Sequence, residues 1–215
     1  MKRTYPLLVG VTGGLGSGKS MVCRFLSEMG CGLFESDRVA KELQLRDPEV
    51  IAGIKKLFGP DIYSFDGDGT LTLDRKKIAL TIFSSADTLQ KLNALIHPKV
   101  FDEYCDAVQD ARQRGIKILV KEAAILFESG GERGVDAVVV VVADNLIRME
   151  RAVRKGMGTP EEIRQRMLAQ WPQERLIAKA DYLLVNKGSL DELKKETERL
   201  FHTLLAAAAV VCDEL

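Results

Sequence analysis

Five short apolar runs rich in β-branched residues recur along the chain, at 7–11, 31–34, 116–120, 138–142 and 182–185. Each is hydrophobic without alternation, which predicts strands buried on both faces and hence a parallel sheet. Between them, apolar residues return at helical spacing: Ile78, Ala79, Ile82 and Phe83; Leu89, Leu92, Leu95 and Ile96; Leu190, Leu193, Leu200 and Phe201. Strands and helices in alternation predict a doubly wound α/β core. The second and third strands are separated by about 80 residues of mostly helical pattern, more than one crossover helix requires, so the excess is expected to form a helical insertion. Inside it, Pro98 is expected to stop the helix of Leu89 to Ile96. The segment Phe65-Asp66-Gly67-Asp68-Gly69-Thr70-Leu71 is expected to be a surface turn linking helices; it lacks the later ligands of a calcium loop.

From Arg148 to Arg166 the chain is dense in arginine, and a break at Gly156-Met157-Gly158 splits two helical pieces. Thr159, followed by Pro160, Glu161 and Glu162, has the residue types of a helix cap and acidic first turn. Two helices about a flexible break suit a lid. The alanine-rich run at 206–212 extends the last helix, and nothing in the sequence decides what it packs against.

A chain of 215 residues is expected to form one compact α/β domain with insertions. Lys and Arg number 31, as do Asp and Glu, so the zero formal charge gives no overall electrostatic case for nucleic acid or an anionic membrane. Cys23, Cys31, Cys105 and Cys212 have no paired spacing, which points to a reduced, cytoplasmic setting rather than a zinc site. The basic opening Met1-Lys2-Arg3 leads into a run that stops at Gly10, unlike a signal peptide, and no run approaches the ~20 apolar residues of a membrane-spanning helix.

The first strand runs into Gly13-Gly14-Leu15-Gly16-Ser17-Gly18-Lys19-Ser20, and the helical Met21-Val22-Cys23-Arg24-Phe25-Leu26 comes next. That is a phosphate-binding loop in its required strand-to-helix context. Its glycines let successive N–H groups converge on one anion beside a helix N-terminus, while Lys19 reaches the β/γ-phosphates and the Ser20 hydroxyl ligates Mg²⁺. After the second strand comes Glu35-Ser36-Asp37. The carboxyl end of such a strand faces the ligand crevice, so Asp37 can take a proton from an acceptor hydroxyl, or Ser36 and Asp37 can cap the next helix.

These motifs, with Leu92-Asn93-Ala94-Leu95-Ile96-His97-Pro98, Ile125-Leu126-Phe127-Glu128 and the closing stretch from Ala180-Asp181 through Asn186-Lys187-Gly188-Ser189, occur in the order and spacing of one family over about residues 7–200. The chain resembles the dephospho-coenzyme A kinases. The resemblance implies a P-loop NTPase-type three-layer α/β/α fold with a central five-stranded parallel sheet, a helical acceptor-binding insertion and a helical lid. It implies a single domain at 7–204, with core segments 7–36, 114–144 and 178–204, the insertion at about 37–113 and the lid at about 145–177.

The implied reaction is phosphorylation of the ribose 3′-hydroxyl of dephospho-coenzyme A by ATP with Mg²⁺, the last step of coenzyme A biosynthesis. It implies Asp37, Lys19 and Arg151 as catalytic residues. Gly14, Leu15, Gly16, Ser17, Gly18, Lys19, Ser20, Met21 and Asn186 would bind ATP, Ser20 the metal, and His97 and Glu128 the acceptor. The expected partners are ATP and dephospho-coenzyme A, with neither nucleic acid nor membrane, in a monomer or small homo-oligomer. Against the family pattern, Arg148 stands where glutamine is usual, Lys155 replaces an arginine, Gly156 and Glu35 replace aspartates, Met21 a threonine and Ala124 a proline. Three rivals stay open: a GTPase, which Asn186-Lys187 suggests although Ser189 lacks the carboxylate for guanine; another small-molecule P-loop kinase; and a catalytically silent ATP-binding module.

Overall fold

The computed structural model describes residues 6–213, with side chains throughout that range except at 83, 84 and 210–213. The basic opening therefore lies outside the described residues, as does the side chain of Cys212. The elements are β1 (Leu7–Thr12), α1 (Lys19–Glu28), β2 (Gly32–Glu35), α2 (Ser36–Arg46), α3 (Pro48–Phe58), β3 (Tyr63–Phe65), β4 (Leu71–Leu73), α4 (Arg75–Ser84), α5 (Ala86–Gln113), β5 (Ile118–Glu122), β6 (Ala137–Val142), α6 (Asn145–Arg154), α7 (Pro160–Leu168), α8 (Gln173–Ile177), β7 (Tyr182–Val185) and α9 (Leu190–Asp213). They fall into two compact units: the first is the chain up to Glu35 together with the chain from Ala107 onward, and the second is Ser36–Asp106.

The first unit is built on a parallel sheet in the order β2-β5-β1-β6-β7. Its hydrophobic strands sort by the two-residue period of extended chain. On β6, Val139 and Val141 join Val9, Val11, Val22, Leu26, Leu193 and Leu204 in one core, against α1 and α9. Val138, Val140 and Val142 face the other way, into a second core with Leu126, Phe127 and Leu176. Helix, sheet and opposing layer thus result from an unbroken valine run, each valine contributing about 1.5–3 kcal/mol by leaving water. At Gly10, on the same sheet, an added Cβ would lie 2.7 Å from Leu126 Cδ2, so the missing side chain is what lets Leu126 pack there.

In the second unit, Val50, Ile54, Phe58, Ile62, Tyr63, Ile78, Leu92 and Ile96 form a core of their own. Asp47 caps α3 by accepting from Glu49 N and Val50 N. Two sequence expectations are corrected here. The Asp66–Gly69 turn joins not two helices but the antiparallel strands β3 and β4, and Asp66 Oδ1 folds it by accepting from Asp68 N and Thr70 N. Helix α5 does not stop at Pro98 but passes through it to Gln113. A proline inside a helix forfeits one backbone hydrogen bond, at about 3 kcal/mol. Buried Leu92 and Ile96 before it and Tyr104 after it supply apolar burial that offsets this.

Candidate active site

The loop after β1 is shaped by close approaches. At Gly13, where φ is +149°, a Cβ would strike Val141 O; at Gly16, where φ is +78°, it would strike the backbone oxygen of Arg148. Neither position accepts a side chain, because the obstacle is backbone and the conformation is one L-residues avoid. Ser17 N closes a turn onto Gly14 O at 3.0 Å, and left-handed Gly18 starts α1 without a side-chain cap. The first turn of α1, with its positive dipole end, therefore opens directly into the loop.

Around this loop lies a cavity of about 450 Å³, within the range of small-ligand sites. It is lined by Leu15, Gly16, Gly18, Lys19, Ser20 and Met21 from the loop and α1, by Arg151, Arg154, Lys155 and Met157 from α6 and the turn beyond its end, and by Asn186, Gly188, Ser189, Leu190 and Leu193 from the β7–α9 junction. Cationic side chains and helix N-termini suit phosphate, and Met157, Leu190 and Leu193 supply apolar surface for a base.

Hydrogen bonds tie the lining together. Asn186, 4% exposed, donates from Nδ2 to Ser17 O at 2.8 Å and accepts at Oδ1 from Arg151 Nη2 at 3.2 Å. Both ends of its amide are thereby engaged with protein. Ser20 Oγ donates to Glu122 Oε1 at 2.9 Å. Glu122 ends β5, with Val11 on β1 to one side and Glu35 on β2 to the other. Ser189 begins α9 as a reciprocal cap: its N donates to Glu192 Oε2 at 2.7 Å, and its Oγ accepts from Glu192 N at 3.3 Å. A cap role accounts for a serine where a guanine-reading motif would need a carboxylate.

The segment 145–170 reaches the loop too. Arg148, 6% exposed, donates from Nε to Leu15 O at 2.9 Å, while Gln170 Oε1 accepts from Leu15 N at 2.8 Å. Burial pulls the Arg148 pKa down from its ordinary value, with nearby Glu174 opposing. Thr159 caps α7 in a capping box with Glu162, as its residue types predicted. Burial also pushes up the pKa of Cys23, and that of Cys31 to about 11, so both thiols stay protonated as small core residues.

Expected site residues thus divide. The loop residues, Arg151 and Asn186 meet at one cavity, and Gly14 and Ser17 belong to the same loop. Glu128 lies beyond the end of β5 but does not line the cavity; its Oε1 accepts from Trp171 N at 2.9 Å, and the Trp171 ring stacks with Phe127, centroids 5.8 Å apart, and carries the Arg175 guanidinium over it. Asp37 and His97 belong to the second unit. Asp37 is the second residue of α2, which continues from β2 without a loop, so Ser36 and Asp37 are inside the helix rather than capping it. His97 sits within α5, half-buried, and burial lowers its pKa.

The family model described as Dephospho-CoA kinase matches residues 7–192. The chain belongs to the dephospho-CoA kinase family. Among its relatives, the dephospho-CoA kinase of Chlorobaculum tepidum is 55% identical over 205 residues, spanning 95% of this chain and 98% of that protein. That of Chlorobium luteolum is 54% identical over 209 residues, spanning 97% and 95%. A solved structure from Thermus thermophilus superposes with a TM-score of 0.78 at 28% identity, covering 94% of this chain and 98% of that one. The Campylobacter jejuni dephospho-CoA kinase gives 0.67 at 19% identity, covering 93% and 98%, a likeness of fold. Three residues at the cradle of this family member were missed in the sequence: Glu122, Gln170 and, in its contact with the loop, Arg148. Glu122 carried a signal, being an acid at the crevice end of a buried strand, but the apolar run ended at Val120 and hid it.

Proposed function

We propose that this protein transfers the γ-phosphoryl group of ATP to the ribose 3′-hydroxyl of dephospho-CoA, releasing coenzyme A and ADP. The observation that carries the reading is the cavity in which the glycine loop, Lys19, Arg151 and Asn186 converge, in a chain of this family. In this reading the loop N–H groups and Lys19 hold the β- and γ-phosphates, and Arg151 offsets charge that develops on the transferred group.

Asp37 is assigned as the carboxylate that orients the 3′-hydroxyl and accepts its proton as the O–P bond forms. Phosphoryl transfer depends mostly on positioning and charge neutralisation, so one carboxylate at the acceptor suffices. His97 and Glu128 are assigned to acceptor binding, the helical stretch at about 37–113 to the acceptor subdomain, and 145–177 to the lid. Ser20 and Glu122 fit Mg²⁺: both offer hard oxygen, and the hydroxyl that donates to Glu122 turns its lone pairs away from it. Bound there, the ion would neutralise phosphate charge. Among the described residues no helix is long and apolar enough to cross a membrane; a cytoplasmic enzyme, monomeric or a small homo-oligomer, is part of the same proposal.

The test is to incubate the protein with Mg²⁺-ATP and dephospho-CoA and separate the products. Coenzyme A and ADP formed one for one support the assignment. ADP formed without coenzyme A removes it.

A further inference from the structure

Leu15 has both backbone polar groups taken by side chains from a single later segment, Arg148 at its oxygen and Gln170 at its nitrogen. The Arg148 fork is fixed: as Nε reaches the loop, Nη1 donates to Asn145 Oδ1 at 2.9 Å, one turn earlier in α6. Gln170 is fixed as well, its Nε2 donating to Ala124 O at 3.2 Å. Arg148 also fills space. A Cβ on Gly14 would strike its Nη2, and one on Gly16 its backbone oxygen, so this residue abuts the loop on both sides of Leu15. Gly14, unlike Gly13 and Gly16, has no positive φ, so its lack of a side chain answers to the guanidinium and not to the backbone.

We propose that Arg148 is a positioning residue for ATP binding: it draws the Leu15 carbonyl away from the cavity so that the next N–H groups along the loop face the phosphates, and Gly14 is required because the guanidinium occupies the place of a side chain. This role rests on the kinase reading of the site. A peptide plane whose carbonyl is held to one side has its N–H set toward the other, and a planar fork with divergent donors fixes that orientation where a lysine ammonium could not. Arg148 is buried, so losing its bond to Leu15 O costs more than losing an exposed contact would. A role confined to stability would show in melting temperature and leave the steady-state constants alone.

The test is a double-mutant cycle on the intact protein, Gly14→Ala and Arg148→Ala singly and together, with Arg148→Gln as a milder replacement if the alanine variant does not fold. Loss of one charge-assisted hydrogen bond predicts that Arg148→Ala raises KM for ATP on the order of tenfold, with kcat and KM for dephospho-CoA within about threefold of the parent. Gly14→Ala should raise KM for ATP on the order of tenfold in the parent and by less than about twofold once Arg148 is gone, because the pair then no longer collides. Additive fold-changes, or a lower melting temperature with KM for ATP unmoved, would overturn the proposal. Should the parent not turn over dephospho-CoA, ATP titration monitored by the fluorescence of Trp171, the sole tryptophan, reads the same cycle. The kinase reading would then fail on its own while coupling or additivity still decides the role of Arg148.

Discussion

Replacing Asn186 by alanine probes whether this residue acts on the nucleotide directly or through the protein. The side chain is 4% exposed, and its amide bridges Ser17 O at 2.8 Å to Arg151 Nη2 at 3.2 Å. Truncation strands the Ser17 carbonyl in a buried place, at about 1–3 kcal/mol. Arg151 loses one contact but keeps another, from Nη1 to the Asn186 backbone oxygen at 3.4 Å, so its share is smaller. If most of the Ser17 cost falls on the phosphate loop, KM for ATP rises about 10- to 100-fold, since 1.4 kcal/mol is tenfold. The melting temperature would fall by about 2–12 °C, at about 2–4 °C per kcal/mol for a chain of this size. Asn186→Asp sharpens the test. An aspartate still accepts from Arg151 but cannot donate to Ser17 O, and it sets a negative charge beside a triphosphate site. It should therefore bind ATP more weakly than the alanine variant. The assay is initial rate against ATP and against GTP at saturating acceptor, with melting temperature alongside. An unchanged KM for ATP together with a changed preference between ATP and GTP would refute the bridging role and make the side chain a reader of the base.

Three other expectations rest on the proposed roles of Asp37 and Glu122 and on the burial of His97. Asp37→Asn should lower kcat by about 10²–10⁴ while leaving both KM values near the parent's, measured by steady-state ADP release. Glu122→Gln weakens the partner of Ser20 and should raise the half-saturating Mg²⁺ concentration about 10- to 100-fold, read by Mg²⁺ titration at fixed ATP. His97 titrates below its ordinary 6.5 because burial disfavours the cation, so the unfolded chain binds the proton more readily. Its contribution to stability is fully present above about pH 6.5 and is lost as pH falls. His97→Gln should therefore flatten the decline of melting temperature on the acid side of that value; an unchanged slope would show that His97 does not contribute.

The core was legible because a parallel sheet writes itself as unbroken apolar runs. Tyr182–Val185 appears with the expected bounds, and the other four strands of that sheet within two residues of theirs. Thr159 and the glycine loop were legible for a related reason: each local conformation admits few residue types. What did not show were features set by tertiary contact. Strands β3 and β4 are three residues each, too short for any period, and Tyr63 holds its place by donating from its hydroxyl to Gln44 O at 2.7 Å, a distant partner. Pro98 obeyed a local rule that packing on either side of it outweighed. Arg148 read as one arginine of a cationic stretch suited to a lid. Its burial and its distance of 2.9 Å from Leu15 O, 133 residues earlier, show that it faces inward. Gln170 had no local signature at all.

The decisive measurement is kcat/KM for dephospho-CoA against that for adenosine and other nucleosides as acceptors, at saturating Mg²⁺-ATP, with the phosphorylated position located by phosphorus NMR. A preference for dephospho-CoA of several orders of magnitude, with the new phosphate on the 3′-oxygen, is the predicted result. Comparable turnover of a nucleoside, or phosphate on another oxygen, would contradict the assignment of this chain as the kinase that completes coenzyme A.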